Sequence, residues 1–320
     1  METVTTRYGA IPVTGILERH PTGALMSCAP AGPALLNTSL GLLPAQYSTD
    51  DLRRRTVQAV YFYDNGALRH LPLEAPTEVP TPAGPMVAEL VTFHPSGAVS
   101  RVFPLNGKLS GYWTQEDEGA LAGPVTLQTP LGTISARIIS LSFFPAGNLR
   151  SITLWPGENI DVPTPAGVLT VRIGVSFRPD GSVRSVEPAR PQSVATPVGL
   201  VQAYDLDACG ICGDENSLEF GADGSVQAVA TSLTRLVLSG PDGRERIFAP
   251  ASRESLCGDS EREPVPMRLA FSPGAVEVRT RPEAGPVLLP TTGCGFRTAP
   301  HLEQFDSLFG RPFGKMSCSA

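Results

Sequence analysis

The chain of 320 residues lacks long apolar runs and concentrated positive charge. No stretch approaches the roughly 20 apolar residues that a membrane-spanning helix needs, so no membrane span is expected. Lys and Arg total 25 against 31 acidic residues, for a net charge of −6. Without a basic stripe to neutralise phosphates, nucleic-acid binding is not expected. The first 15 residues have neither the basic start nor the apolar core of a signal peptide, which predicts a cytoplasmic protein.

The sequence also lacks a recognisable catalytic motif. It holds only four histidines, and no Ser/His/Asp set can be assembled around them. No glycine-rich loop follows a predicted strand and opens a helix, so nucleotide binding has no support. These absences favour a non-enzymatic protein.

What the sequence does contain is a hairpin pattern, seen most clearly between Thr164 and Glu187. Apolar residues alternate with Thr170, Arg172 and Ser176, a period of two that predicts a strand with one buried and one exposed face. Pro-Asp-Gly at 179–181 then predicts a tight reversal, because Gly181 tolerates the positive φ of a short hairpin loop.

Two kinds of turn signal recur along the chain and predict a series of such hairpins. The first resembles x-Pro-x-Gly or Asp-Asn-Gly and ends at Gly23, Gly66, Gly97, Gly147, Gly181, Gly224 and Gly274. The second is Thr-Pro-x-Gly or a degenerate form of it, and it ends at Gly9, Gly41, Gly84, Gly132, Gly167 and Gly199. Glycine and proline therefore punctuate strands here and do not indicate disorder.

The first part of the pattern is repeated 158 residues later. Aligning residues 6–71 with 164–229 without a gap gives 15 identities in 66 positions, where roughly four or five are expected by chance for this composition. We interpret this as an internal duplication. The predicted boundaries are 1–125 for the first repeat half, 126–298 for the second and 299–320 for a tail, all in one continuous array.

The predicted fold is all-β: tandem antiparallel hairpins forming an extended or solenoid-like sheet, with a short C-terminal helix. The helix is predicted from helical spacing of apolar residues in the tail, followed by a glycine: Leu302, Phe305, Leu308, Phe309 and Gly310. Thr114 is predicted to cap a second short helix with acids in its first turn.

The Phe-x-x-x-Gly-x-Leu hairpins resemble MORN-type repeats, in particular the YwqK-like bacterial variant. The resemblance covers the hairpins and not the Thr-Pro-x-Gly signals. It implies stacked hairpins that serve as a binding or scaffolding surface, and it implies no catalytic residues. The chain as a whole also resembles a bacterial family from which no activity carries over.

The cysteines suggest a possible metal centre. Cys209 and Cys212 form a Cys-x-x-Cys pair, and Cys257 and Cys294 could complete a tetrahedral zinc site or hold an iron–sulfur cluster. The alternative is that they are free thiols, because the partners are distant in sequence and the first half has no such pair.

A second candidate is the interruption of the repeat pattern between residues 103 and 125. It gathers aromatic, basic and acidic groups that could form a binding surface: Lys108, Tyr112, Trp113, Glu116, Asp117 and Glu118. Carboxylates beside an aromatic ring are also what a carbohydrate site uses. The simpler alternative is a capped surface helix anchored by Trp113. Nearby, the run from Arg53 to Arg55 could bind a phosphate or lie at a solvated helix end.

The sequence thus favours a non-enzymatic repeat protein that acts as a binding or scaffold module for a protein partner. The first alternative is a zinc- or iron–sulfur-dependent protein using the Cys209 loop. The second is a carbohydrate-binding or carbohydrate-active protein using Trp113 and the acids that follow it.

Overall fold

A computed structural model describes residues 2–15, 17–50, 52–208, 213–240, 243–254 and 262–301. Over these ranges the protein is nearly all β and its sheets are antiparallel, which confirms the predicted fold class. The chain divides into two compact units. The first comprises Met1–Trp155 with Pro179–Gly181, and the second comprises Pro156–Arg178 with Ser182–Ala320. The predicted halves, 1–125 and 126–298, are drawn from the repeat pattern and not from contacts. Their boundaries stay a prediction.

The first unit contains one helix and fourteen strands within its described residues. The helix is α1 (Gln115–Leu121). The strands are β1 (Glu2–Thr6), β2 (Gly9–Val13), β3 (Glu18–Arg19), β4 (Leu25–Cys28), β5 (Leu35–Thr38), β6 (Gly41–Pro44), β7 (Val60–Phe62), β8 (Leu68–Thr81), β9 (Gly84–Phe93), β10 (Val99–Phe103), β11 (Val125–Thr129), β12 (Gly132–Ala136), β13 (Ile138–Phe143) and β14 (Leu149–Leu154). Its main sheet has the order β14-β13-β10-β9-β8-β7-β4-β3, and β1–β2, β5–β6 and β11–β12 form separate two-stranded hairpins.

The described residues of the second unit form fifteen strands. These are β15 (Ile160–Thr164), β16 (Gly167–Phe177), β17 (Val183–Pro188), β18 (Gln192–Thr196), β19 (Gly199–Ala203), β20 (Leu218–Phe220), β21 (Val226–Thr231), β22 (Thr234–Ser239), β23 (Glu245–Phe248), β24 (Ala251–Glu254), β25 (Arg262–Val265), β26 (Met267–Ser272), β27 (Ala275–Arg279), β28 (Val287–Pro290) and β29 (Gly295–Pro300). The main sheet has the order β28-β27-β26-β21-β20-β17-β16, with β15 paired to the start of β16. Separate small sheets are β18–β19, β24–β25 and β23-β22-β29.

Five hairpins of the main sheets, whose turns end at Gly23, Gly66, Gly97, Gly147 and Gly224, share one turn geometry. In the turn between β7 and β8, the Tyr63 amide donates to the carbonyl of Ala67 (2.7 Å) and Gly66 donates to the carbonyl of Tyr63 (2.8 Å). Gly66 has a φ of +74°, which a residue with a side chain rarely adopts. The first residue of the turn also contacts the next hairpin, since the hydroxyl of Tyr63 donates to the carbonyl of Phe93 at 3.0 Å. Adjacent turns are thereby joined side to side.

The Thr-x-x-Gly signals mark a second kind of turn, which closes the separate hairpins β1–β2, β5–β6, β11–β12 and β18–β19 and also β8–β9 and β15–β16 of the main sheets. In the β1–β2 turn the Thr6 hydroxyl donates to the carbonyl of Gly9 (2.8 Å) and accepts from the amide of Tyr8 (3.1 Å). The same threonine-to-glycine bond closes the other five turns of this kind: Thr38 to Gly41, Thr81 to Gly84, Thr129 to Gly132, Thr164 to Gly167 and Thr196 to Gly199. The threonine therefore replaces a backbone partner at the reversal, which explains why the two residues recur together.

The one helix within the described residues is α1 at Gln115–Leu121, where Thr114 is predicted to cap a short helix. The predicted helical tail from residue 302 onward lies outside the described residues, and Gly295–Pro300, which leads into it, is a strand. The arginines of the 53–55 run do not lie at a helix end, because residues 52–59 are irregular. No helix in the described part of the chain is long and apolar enough to cross a bilayer.

The one-face interpretation of β16 is also wrong for its second half. Arg172 and Ser176, predicted to face solvent, are 8% and 1% exposed. The neighbouring residues Val175 and Phe177 are buried as well. A period of two predicts that successive side chains of a strand point to opposite faces. It does not show whether other residues cover the polar face.

Candidate functional site

The interruption of the repeat pattern folds around α1, which begins as predicted. Thr114 is the N-cap: its hydroxyl accepts from the amide of Asp117 (3.1 Å), and the Asp117 carboxylate accepts from the amide of Thr114 (2.8 Å). This reciprocal capping box supplies partners for amides at the helix start that have no intrahelical acceptor. The carboxylate also lies at the positive end of the helix dipole, and these hydrogen bonds hold the pKa of Asp117 below its usual value.

Replacing Thr114 with alanine is expected to remove the cap and to destabilise the first unit by about 1 kcal/mol. The loss can be measured as a lower denaturation midpoint in urea. Thr5→Ala is a suitable control, because Thr5 is an exposed strand residue of the same unit. Equal midpoints for the two variants would contradict a stabilising role for the cap.

A buried ion cluster holds α1 against the main sheet of the first unit. The guanidinium of Arg53 contacts both oxygens of Glu89 (2.9 and 2.6 Å) and both oxygens of Glu118 (2.7 and 2.7 Å). Glu89 lies on β9 and Glu118 on α1, and they are 3% and 5% exposed. Arg53 comes from the irregular segment before β7. One side chain therefore joins three segments that are distant in sequence.

Further hydrogen bonds saturate the two carboxylates. Trp113 donates its indole N–H to Glu118 (2.6 Å), the amide of Gly107 donates to the same carboxylate (2.8 Å), and the amide of Asn106 donates to Glu89 (2.8 Å). Burial by itself would raise the pKa of Glu118, but the hydrogen bonds from Arg53 and Trp113 outweigh it and hold that pKa below its usual range. The carboxylates of Glu89 and Glu118 thus fix the conformation of the segment of residues 106–118.

The six predicted surface residues separate into two groups. Glu118 is buried, Trp113 is half-buried with its N–H bound to Glu118, and Asp117 caps the helix. Lys108, Tyr112 and Glu116 are exposed. The simpler alternative, a capped helix anchored by Trp113, therefore accounts for Glu118, Trp113 and Asp117. It leaves the other three residues, the outward group, unexplained.

The outward group centres on a tight turn whose ends pair through Ser110 and Trp113. Tyr112 is 71% exposed at this turn, and the guanidinium carbon of Arg55 lies 5.2 Å from the centre of its ring. Leu109 is 54% exposed beside them, and the amide of Lys108 is fixed by the carbonyl of Arg53 (3.0 Å). We call Arg55, Lys108, Leu109 and Tyr112 the insert patch.

The arginine run does not form a phosphate site. Arg53 is committed to the two glutamates, and Arg54 donates to the carbonyls of Leu73 (2.7 Å) and Glu74 (2.5 Å). Only Arg55 of the three has its side chain at the surface, over Tyr112.

A groove of about 760 Å³ lies beside the C-terminal end of α1, where Leu121 lines it. Its walls are mainly apolar and include Val87, Leu105 and Leu121, of which Val87 is 48% and Leu121 51% exposed. Glu89 also lines it, with its charge balanced by Arg53. The same insertion therefore shapes both the insert patch and an apolar groove.

The second unit has its own buried arginine and carboxylate, arranged differently. Arg172 lies 3.5 Å from Glu187, donates to the carbonyl of Asp205 (2.6 Å), and stacks on the ring of Tyr204 at 4.6 Å. The next residue, Ile173, has a φ of +59°. A β-branched residue in this region stores about 1–3 kcal/mol of strain. The strain lies where the pairing of β16 with β17 shifts register.

Burial dominates the ionisation of this cluster. Glu187 is 2% exposed, and burial raises its pKa although Ser217 and Arg172 favour the charged form. Burial likewise raises the pKa of Asp205, against the amide of Asp207 and the charge of Arg172. In the first unit the hydrogen bonds from Arg53 and Trp113 outweigh the effect of burial on the pKa of Glu118, whereas the 3.5 Å contact of Arg172 does not offset it for Glu187.

The predicted metal centre stays a prediction. Cys209, Cys212 and Cys257 lie outside the described residues, and Cys294 is a half-buried free thiol just before β29. Over the described ranges, no group of three or more His, Cys, Asp or Glu side chains could hold a metal ion. Cys28 is a buried free thiol whose pKa is raised to about 11 by burial, which makes it unreactive.

The sequence pattern did not reveal the roles of Glu89, Arg172 and Glu187. A signal was present for Glu89, the one charged residue of β9, in which every other residue except Thr92 is apolar, because an unpaired charge there would be costly. No protein-family model matches this sequence, and no curated protein is significantly similar to it.

Proposed function

We propose that this protein is a non-enzymatic binding module for a protein partner and that the insert patch contacts the partner. The observation that carries the proposal is Tyr112, a large aromatic side chain 71% exposed and stacked with Arg55. Tyrosine and arginine are the residues most often found to dominate binding energy at protein interfaces. The resemblance of the hairpins to MORN-type repeats implies the same kind of role.

The support beneath the patch favours binding over a purely structural role. An exposed tyrosine adds little to the stability of its own fold, because most of its apolar surface stays in water. The turn that carries Tyr112 is nevertheless fixed by the buried contacts of Arg53, Trp113 and Glu118. A rigid support lowers the entropy lost when a surface binds a partner, so this arrangement suits recognition.

The chemistry of the cluster supports a non-enzymatic role. Arg53 binds Glu89 and Glu118 in a fully hydrogen-bonded cluster. A general acid or base needs a pKa near the working pH, and the pKa of Glu118 is displaced away from it.

The proposal is tested by Tyr112→Ala, with Tyr61→Ala as the matched control. Tyr61 is 38% exposed on β7, in the same unit. Quantitative affinity purification from source-cell lysate is expected to recover a partner with wild type and Tyr61→Ala, and about tenfold less of it with Tyr112→Ala. Purified partner and protein should reproduce the difference by calorimetry. Equal recovery of every enriched protein by the two variants would rule out the insert patch.

A further inference from the structure

Two turns that correspond in the sequence alignment differ in one side chain. Thr6–Gly9 closes β1–β2, and Thr164–Gly167, 158 residues later, closes β15–β16 with the same threonine-to-glycine bond. The third residue of the turn is Tyr8 in the first unit and Ala166 in the second.

In the first unit the phenol of Tyr8 fills the space between neighbouring turns. Its hydroxyl accepts from the amide of Leu68 (3.0 Å) and from Arg7 (3.0 Å), and it lies beside Gly97. The amide of Asn37 donates to the carbonyl of Tyr8 (2.8 Å), so β5 closes against the same turn. The approach is tight: a Cβ atom on Gly9 would lie 2.9 Å from the carbonyl oxygen of Leu35.

In the second unit the corresponding space is open. Ala166 has no ring, and a Cβ atom on Gly167 would have no neighbour within 4 Å. A pocket of about 940 Å³ lies there. Its lining includes Ala166 and Val226, which align with Tyr8 and Leu68. It also includes Gly274, whose turn lies next to that of Gly224 in the sheet as the turn of Gly97 lies next to that of Gly66. The two leucines that follow Gly41 and Gly199 are equally exposed at 63%.

One residue that lines the pocket aligns with the residue whose amide binds the tyrosine hydroxyl in the first unit. Leu68 aligns with Val226, and each forms the first pair after its turn, with Phe62 and Phe220. The Gly221 amide bonds to the carbonyl of Ser225 (2.7 Å), so by the alternation of an antiparallel ladder the next pair is not hydrogen-bonded. The N–H of Val226 therefore points away from β20, as the N–H of Leu68 points away from β7 toward Tyr8.

The remaining lining favours a neutral aromatic alcohol. Phe220, Val194 and Pro165 supply apolar walls, and Ser193 and Thr291 supply hydroxyl groups. Asp223 is the one ionisable lining residue, and its carboxylate is occupied by the amide and hydroxyl of Ser225. A pocket of this volume holds a ring together with part of the chain that carries it.

We propose that this pocket of the second unit binds a tyrosine side chain of a protein segment, in the position that Tyr8 occupies in the first unit. The ring would lie over Ala166 and its hydroxyl would accept from the amide of Val226. This tyrosine site lies in the unit that does not carry the insert patch. Loss of one site in a variant therefore leaves the other to be tested.

The experiment uses N-acetyl-tyrosinamide and N-acetyl-phenylalaninamide as probes in ligand-observed NMR. Wild type is expected to bind the tyrosine probe with a Kd of about 1 mM and the phenylalanine probe several-fold more weakly, since the latter cannot accept from Val226. Ala166→Tyr should fill the pocket and weaken binding of the tyrosine probe at least about tenfold, whereas Ala166→Ser should not.

Tyr8→Ala provides an independent arm. It should open the corresponding space in the first unit and add a second binding site for the same probe. Ala166→Tyr should also raise the Tm by about 2–4 °C, because it restores contacts that the first unit already has. No detectable binding to wild type, or unchanged binding to folded Ala166→Tyr, would overturn the proposal.

Discussion

Replacing Arg53 with methionine is expected to destabilise the first unit by about 3–5 kcal/mol. Methionine keeps the apolar stem and removes the charge. Glu89 and Glu118, which are 3% and 5% exposed, would then be two buried carboxylates without their cation. Removing one partner of a buried ion cluster costs far more than the cluster contributes, because the remaining charges have already lost their water. The irregular segment, β9 and α1 would also lose their common contact.

The measurement can be confined to the first unit. Both tryptophans of the chain, Trp113 and Trp155, belong to it, so tryptophan fluorescence during urea denaturation reports its unfolding. Arg19→Met is the matched control in the same unit. Arg19 is exposed on β3 and donates to the carbonyl of Gly23 (2.9 Å), so its loss is expected to cost less than about 1 kcal/mol.

Two further variants separate loss of charge balance from loss of packing. Combining Arg53→Met with Glu89→Gln and Glu118→Gln removes all three charges and should recover most of the stability. A loss below about 1 kcal/mol for Arg53→Met, or no recovery in the triple variant, would contradict this account.

The hairpins could be predicted because their signals are local. The Thr6–Gly9 turn closes through atoms three residues apart, and Gly66 supplies a positive φ at the position where the turn requires one. Such signals can be recognised without knowing what lies beyond the turn. The capping box at Thr114 was predictable for the same reason.

The buried charges could not be predicted because their partners are far apart in the sequence. Arg53 is 36 residues from Glu89 and 65 from Glu118. The Arg53–Arg55 run looks like one basic cluster, yet the three side chains turn in different directions. In the same way, the polar face of β16 carries Arg172, and only the packing around it decides whether that face meets water.

The alignment of the two repeats gave the correspondence between Tyr8 and Ala166 but not its importance. Many aligned positions differ. This one matters because the tyrosine hydroxyl accepts from a backbone amide 60 residues away. That contact can be seen only once the two neighbouring turns are placed side by side.

The two units are expected to respond to pH in opposite directions. In the first unit the folded-state pKa of Glu118 is lowered, although burial alone would raise it. Its stabilising effect is therefore present above the unfolded-state pKa of about 4.3 and lost as the pH falls through the folded-state value. In the second unit, burial raises the folded-state pKa of Glu187. Its effect is fully present below about pH 4.3 and lost as the pH rises through the folded-state value.

Glu118→Gln and Glu187→Gln isolate these two contributions. Between pH 7 and pH 4, the difference in stability between wild type and Glu118→Gln should begin to shrink near the unfolded-state pKa of about 4.3, because the unfolded state takes up a proton there that the folded state, with Glu118 bound to Arg53, resists. Over the same range the stability of wild type relative to Glu187→Gln should rise. Tryptophan fluorescence follows the first unit, and hydrogen exchange of β17 and β20 follows the second. If the two stability differences change with pH in the same direction, this account is contradicted. Glu187 would then keep its charge on folding at no cost, because Arg172 at 3.5 Å would balance it as fully as Arg53 balances Glu118.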